Sequence, residues 1–220
     1  MCWLGADPMT DDMSTTAPAS VLLIHGIWNA RAWMTPFAAR LRVHGLTPTT
    51  FGYDSVLGTT ERAVERLVAQ LRRRPVAYAV GYSLGGLVLL EALRLAPDLA
   101  VERAVCMGSP LQGSAAARGL SGMPGGAWLM GGSADILRRG AAAWEGRTQV
   151  GCIAGDRARG LGRVFARFEE PSDGTVAVAE TRLPGLADHC IVPASHSGLI
   201  LSAAAAAQAA RFLREGRFGA

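Results

Sequence analysis

The sequence has no lysine: all 22 basic residues are arginine. Beside so much alanine, this is a compositional bias rather than a binding signal. The arginines are scattered, apart from Arg72, Arg73 and Arg74, which sit at a predicted helix end and suit its dipole. The net charge of +4 is modest, and no stretch interleaves basic with aromatic residues, so nucleic acid is not an expected partner. Charged residues make up only 18% and hydrophobic residues 50%, which argues against disorder and leaves enough apolar material for a sizeable core. Cysteine is sparse. Cys2, Cys106, Cys152 and Cys190 lie far apart, so no CxxC or CxxH spacing offers a metal site. Three of them fall in predicted buried strands, where free cysteine behaves as a small apolar residue.

Other absences bound location and organisation. The first residues show no basic segment followed by an apolar one, so no secretory signal is read and Cys2 is not a lipoprotein anchor. Residues 1–19 read as a flexible tail. No apolar run reaches the roughly 18 residues of a membrane helix. No internal repeat is visible. The expectation is one cytoplasmic domain over 20–220 without a membrane span. Nothing in the sequence sets an oligomeric state.

What is present is alternation. Val21–Ile24 reads as a buried strand, and the following segment has helical spacing of Trp33, Phe37 and Leu41 up to Gly45. "LTPTTFGY" is a second strand weakened by Pro48. The next segment is a helix that Thr60 can cap, with Val64, Leu67, Val68 and Leu71 on one face. "VAYAV" is a third strand, with a helix from Leu84 to Ala96 behind it. "ERAVCMGSP", "TQVGCIAG" and "DHCIVP" supply three more strands, and a last helix runs from Ser197 to Arg214. Between Leu111 and about Gly146 the pattern dissolves. Continuously apolar strands alternating with helices predict an α/β fold: a mostly parallel sheet of about six strands covered on both faces. Ligands in such folds bind beyond the carboxyl ends of the strands. The polar residues there are His25, Asp54, Ser83, Ser109, Asp156 with Asp173 further on, and His196.

Ser83 lies in "VGYSLGG", between the third strand and its helix. One reading is a tight turn alone. The other is a nucleophile: the turn is so sharp that side chains at 81 and 85 would meet neighbouring backbone, and the serine hydroxyl is left exposed. The helix from Leu84 aims its N–H groups at the same spot. A general base must then follow in the chain. Of four histidines, only His196 lies both after the serine and at a strand's carboxyl end. His44 sits near a helix end, and His189 opens the sixth strand at its far side. Candidate acids between the fifth and sixth strands are Asp156, Glu169, Glu170 and Asp173; none follows the fourth strand directly.

Taken in order, "HGIW", "GYSLGG", "GSPLQGS", "SDGTV" and "ASHSGL" resemble the α/β-hydrolase superfamily, in particular small bacterial lipases and esterases. The likeness runs over about residues 20–200. It implies a serine hydrolase cleaving carboxylic esters through an acyl-enzyme, with Ser83 as nucleophile, His196 as base and Asp173 as acid. The backbone N–H groups of Ile27 and Leu84 would form an oxyanion hole, and His25 would order its loop. Tyr82 replaces the histidine usual before the serine and would shape the substrate pocket with Trp28; Trp33 could line the same pocket or belong to the core. Asp156 stays open as the acid. Residues 111–146 occupy the place of a possible cap, whose Met123, Trp128, Leu129, Met130 and Ile136 could cover an acyl pocket; an irregular packed connection is the equal alternative. The expected partner is a small acyl ester, with no metal and no cofactor. Acyl transfer, thioester hydrolysis, a cofactor-free lyase reaction and a catalytically silent interaction domain remain alternatives, since fold does not fix chemistry.

Overall fold

The computed structural model describes residues 19–158 and 171–219. The expected tail over 1–19 lies outside these but for Ala19, as do Cys2, Glu169 and Glu170. Six strands form one sheet: β1 (Ser20–Ile24), β2 (Thr47–Phe51), β3 (Tyr78–Tyr82), β4 (Arg103–Met107), β5 (Gln149–Gly155) and β6 (Asp188–Val192). All neighbouring pairs are parallel, in the order β2-β1-β3-β4-β5-β6. Pro48 is accommodated because β2 is an edge strand, where a missing N–H breaks no ladder on the open side.

Among the described residues the helices are α1 (Thr35–Val43), α2 (Thr60–Arg73), α3 (Leu84–Leu95), α4 (Ala115–Ser121), α5 (Gly126–Met130), α6 (Ala134–Arg139), α7 (His196–Leu201) and α8 (Ala203–Glu215). Strand residues alternate between two apolar cores, as a period of two requires. Leu22, Ile24, Ala79, Ala104, Cys106 and Cys152 pack with α2 and α3 on one face. Val21, Leu23, Val80, Val105, Met107 and Ile153 pack with α1 and α8 on the other. Burying each large side chain contributes about 1.5–3 kcal/mol, so both faces of every inner strand are committed.

Several boundaries differ from the sequence reading. The cap of α2 is Thr59, whose hydroxyl accepts the Arg62 N–H; Thr60 is the first helical residue. The last helix is two, because the Ser202 backbone is extended and its hydroxyl caps α8 by accepting from the Ala205 N–H. Trp33 is not core. A 3-10 turn over Arg31–Met34 shifts the phase ahead of α1, so that Met34 is buried and Trp33 is 46% exposed.

Between β4 and β5 lie α4, α5 and α6, in the stretch without a clear pattern. These short helices stand on bonds to the rest of the chain. The Glu180 carboxylate accepts the Ala115 N–H at the start of α4 and the Ala177 N–H. Gly132 N–H donates to the Val56 carbonyl and the Ser133 hydroxyl to the Ser55 carbonyl at 2.8 Å.

The chain leaves β1 for β2 on one side and arrives at β3 on the other. The loops after β1 and β3 therefore diverge at a topological switch point, where an open parallel sheet forms a crevice.

Candidate active site

Ser83 occupies that crevice between β3 and α3. Its backbone has φ 54° and ψ −122°, a conformation that costs about 1–3 kcal/mol for a residue other than glycine. The neighbours hold it. Ser83 N–H donates to the Met107 carbonyl at 2.9 Å, and Gly86 N–H donates to the Ser83 carbonyl at 3.1 Å. Both flanking glycines are sterically required. A Cβ on Gly81 would lie 2.5 Å from the Gly85 carbonyl oxygen, and one on Gly85 would lie 2.5 Å from the Ile24 carbonyl oxygen. Only a glycine pair lets the turn close this tightly against β1.

The imidazole of His196, the first residue of α7, faces the serine, with Nε2 3.1 Å from Ser83 Oγ. Its Nδ1 lies 2.7 Å from Asp173 Oδ2. Asp173 is 1% exposed and held from its other side: Oδ1 accepts the N–H groups of Thr175 at 2.9 Å and Val176 at 2.7 Å. This is a local Asx-type turn in "SDGTV", with Gly174 at φ 91°. The His196 N–H also donates to the Asp173 carbonyl at 2.9 Å, so backbone and side chain register the pair together. With an ionised Asp173 the hydrogen on Nδ1 points to the carboxylate, and Nε2 is left as the acceptor toward the serine. Asp156 is not part of this arrangement. It is exposed and pairs with Arg157 at 3.4 Å.

Tyr82, the last residue of β3, is buried. Its hydroxyl donates to the His196 carbonyl at 3.2 Å, and its ring lies 5.1 Å from the imidazole, centroid to centroid. Burial and the Asp173 charge push its phenol further up, so it acts as a neutral donor. Sequence reasoning gave Tyr82 to a substrate pocket; it lines the cavity beside Ser83, and its contact with the histidine was missed.

The loop after β1 abuts the serine. A Cβ on Gly26 would lie 3.0 Å from Ser83 Cβ. His25 sits beneath this loop, stacked on Tyr53 with ring centroids 4.5 Å apart. Its Nδ1 donates to the Gly26 carbonyl at 2.9 Å, and its Nε2 accepts the Tyr53 N–H at 3.4 Å. Burial lowers its pKa below the usual histidine value, so it orders the loop as a neutral ring. Among the described residues, the Ile27 N–H has no protein acceptor. The Leu84 N–H, at the start of α3, belongs to the helix turn that lacks intrahelical partners.

A cavity of about 340 Å³ opens onto Ser83 and His196, within the range of small-molecule sites. Ile27, Trp28, Tyr82 and Trp33 form part of its wall. The segment between β4 and β5 contributes Ala117, Leu120, Met130 and Leu137. Of the residues proposed there to cover a pocket, Met130 lines the cavity, Ile136 is in the core, and Met123, Trp128 and Leu129 are exposed. Leu120 and Leu137 were missed because the short helices carry too few turns to show which side faces in. Among the described residues, no aspartate, glutamate or arginine lines the cavity. Among the described residues, no cluster of His, Cys, Asp or Glu could hold a metal ion, and no helix is long and apolar enough to cross a membrane.

Comparison with known proteins agrees with this fold. No curated protein matches the sequence. Among solved structures, lipase BlEst2 of Bacillus licheniformis in its propeptide form superposes with a TM-score of 0.71 at 22% identity, covering 84% of this chain and 47% of that one. Phospholipase PlaB of Legionella pneumophila gives 0.62 at 14% identity, over 84% of this chain and 54% of that one. The pyrethroid hydrolase PytH gives 0.61 at 16% identity, over 90% and 98%. The chain spans about half the length of the lipase and phospholipase chains, and at these identities the likeness is one of fold. A model of the alpha/beta hydrolase family, however, matches residues 21–216. With that match over nearly the whole chain, the protein belongs to the alpha/beta hydrolase family.

Proposed function

We propose that the protein is a serine hydrolase that cleaves carboxylic esters of apolar acyl groups. The observation that carries this reading is the continuous chain from Ser83 Oγ through His196 to a buried Asp173, ending at an uncharged cavity. His196 Nε2 removes the hydroxyl proton as Ser83 Oγ attacks the ester carbonyl carbon. Asp173 fixes the imidazole tautomer and stabilises the imidazolium that forms. The Ile27 and Leu84 N–H groups receive the oxyanion of the tetrahedral intermediate, each donor contributing roughly 2.7–4 kcal/mol to the transition state. The C–O bond then breaks, and His196 returns the proton to the departing alcohol. Water, deprotonated by the same nitrogen, attacks the acyl-enzyme and releases the acid and free Ser83.

The apolar wall of Ala117, Leu120, Met130 and Leu137 supports an apolar acyl group, and among the described residues the lining offers no charged side chain to a charged one. The test is a chain-length series of p-nitrophenyl esters with wild type and Ser83→Ala, together with labelling by a fluorophosphonate. The variant should lose roughly 10⁴–10⁶ in kcat and all labelling, with its melting unchanged. Activity within tenfold of wild type in Ser83→Ala would remove the nucleophile assignment. Product analysis with competing alcohols and thioesters distinguishes hydrolysis from acyl transfer and thioester cleavage.

A further inference from the structure

Trp28 stands next to Ile27 and has a feature that pocket lining does not explain. Its φ is 57°, and among the described residues only Ser83 shares a positive φ without being glycine. For a bulky residue this is a strained outlier. The strain at Ser83 comes with the nucleophile turn. At Trp28 a glycine would meet the backbone demand better, so the side chain must supply what the backbone loses. Burial does not supply it, since Trp28 is 59% exposed.

What the side chain does is bridge. The indole Nε1–H donates to the Leu129 carbonyl at 2.9 Å, a contact across 101 residues. Leu129 lies in the last turn of α5, where carbonyls have no intrahelical partner, so the indole satisfies a group that would otherwise face solvent. The loop it holds is the one whose Gly26 abuts Ser83 and whose Ile27 lines the cavity.

We propose that Trp28 is a positioning residue: through its bond to α5 it holds the Gly26–Asn29 loop in the strained form that presents the Ile27 N–H to the reacting carbonyl oxygen. The cap thereby sets the competence of the oxyanion site as well as the shape of the acyl pocket. This rests on the reading of Ile27 as an oxyanion donor. Without the bond, a residue 28 with a side chain relaxes toward negative φ, and a glycine there is free to leave the observed φ; either change carries the neighbouring peptide with it. A displacement of about 1 Å at a reacting centre costs on the order of a hundredfold in rate.

The experiment uses the full chain with Trp28→Phe, which keeps a ring and deletes the donor, and Trp28→Gly, which removes the side chain and relieves the backbone. Turnover is measured on p-nitrophenyl acetate, whose acyl group is too short to contact the cap, and on a long-chain ester. Affinity for a trifluoromethyl ketone reports the oxyanion site, because its adduct with the serine carries the same charged oxygen. Both variants should lose about tenfold to a hundredfold in kcat on the acetate, with KM within about threefold and ketone affinity falling by the same factor. Thermal melting identifies any variant that loses activity by unfolding, and the other then carries the test. Acetate turnover and ketone affinity within about threefold of wild type would overturn the proposal, as would a rise in KM confined to the long-chain ester. An active Ser83→Ala would instead defeat the underlying hydrolase reading. An inactive Ser83→Ala with unimpaired Trp28 variants would defeat this inference alone.

Discussion

Replacing Asp173 by asparagine exchanges one carboxylate oxygen for an NH₂ group, and the surroundings dictate which one. Oδ1 accepts two backbone N–H groups, from Thr175 and Val176. An NH₂ group there would face two donors, so the amide oxygen stays and the NH₂ turns to His196 Nδ1, at the present 2.7 Å contact. That nitrogen must then accept. The imidazole hydrogen moves to Nε2, which can no longer accept the Ser83 proton across 3.1 Å. A wrong-tautomer histidine of this kind lowers kcat by about 10⁴, which at 1.36 kcal/mol per decade is about 5 kcal/mol. The fold should persist, because the amide oxygen keeps both backbone bonds. The loss is confined to the charge assistance, about 1–2 kcal/mol, or a few degrees in melting temperature. The assay is steady-state hydrolysis of a p-nitrophenyl ester, with thermal melting on the same samples and Asp156→Asn alongside. Asp156, exposed and paired with Arg157, should show kcat within about twofold of wild type. If Asp173→Asn retains kcat within tenfold, or if Asp156→Asn is the damaging variant, the assignment of the acid is wrong.

Two further predictions concern stability. Gly85→Ala would put a Cβ 2.5 Å from the Ile24 carbonyl oxygen and 2.6 Å from that of His25, both backbone atoms with little room to give. Urea titration should show a loss of about 1–3 kcal/mol or more, and a loss under about 0.5 kcal/mol would contradict the tight-approach argument. His25 and His189 both have pKa values lowered mainly by burial from the ordinary 6.5. As pH falls below that value, the unfolded chain binds protons that the folded chain refuses, so the stability these groups provide is full above pH 6.5 and declines below it. The melting temperature should therefore drop on acidification through this range, and less so in His25→Asn. An identical pH dependence in that variant would show that His25 is not buried neutral.

The parts of the site that were readable from the sequence are those whose constraints are local. Gly81 and Gly85 flank the serine because a strand-to-helix turn of that sharpness admits no Cβ, and the apolar runs on either side carry their own periodicity. Asp173 followed by Gly174 reads as a turn for the same reason. His196 could be selected by chain order and by its place at a strand's end. Trp33 stayed open between pocket wall and core because helical spacing assumes a continuous helix, whereas Arg31–Met34 is a 3-10 turn whose phase turns it to the cavity wall. The break at Ser202 was hidden by the helix-favouring alanines around it. The cap was opaque because α4, α5 and α6 are five to seven residues long. Helices that short are not stable on their own pattern and exist here through bonds to distant segments.

Composition, alternation and turn chemistry thus determined the layered parallel sheet, the strained serine and the acidic turn, since each follows from sterics and burial within a few residues. Tertiary structure alone decided that Asp173 rather than Asp156 meets His196, that Tyr82 props the same histidine, and that Trp28 reaches α5. These are ångström-scale separations between groups that lie 23, 114 and 101 residues apart. No local preference encodes such distances; they are fixed by the packing of the whole sheet, which sets where each strand ends relative to its neighbours.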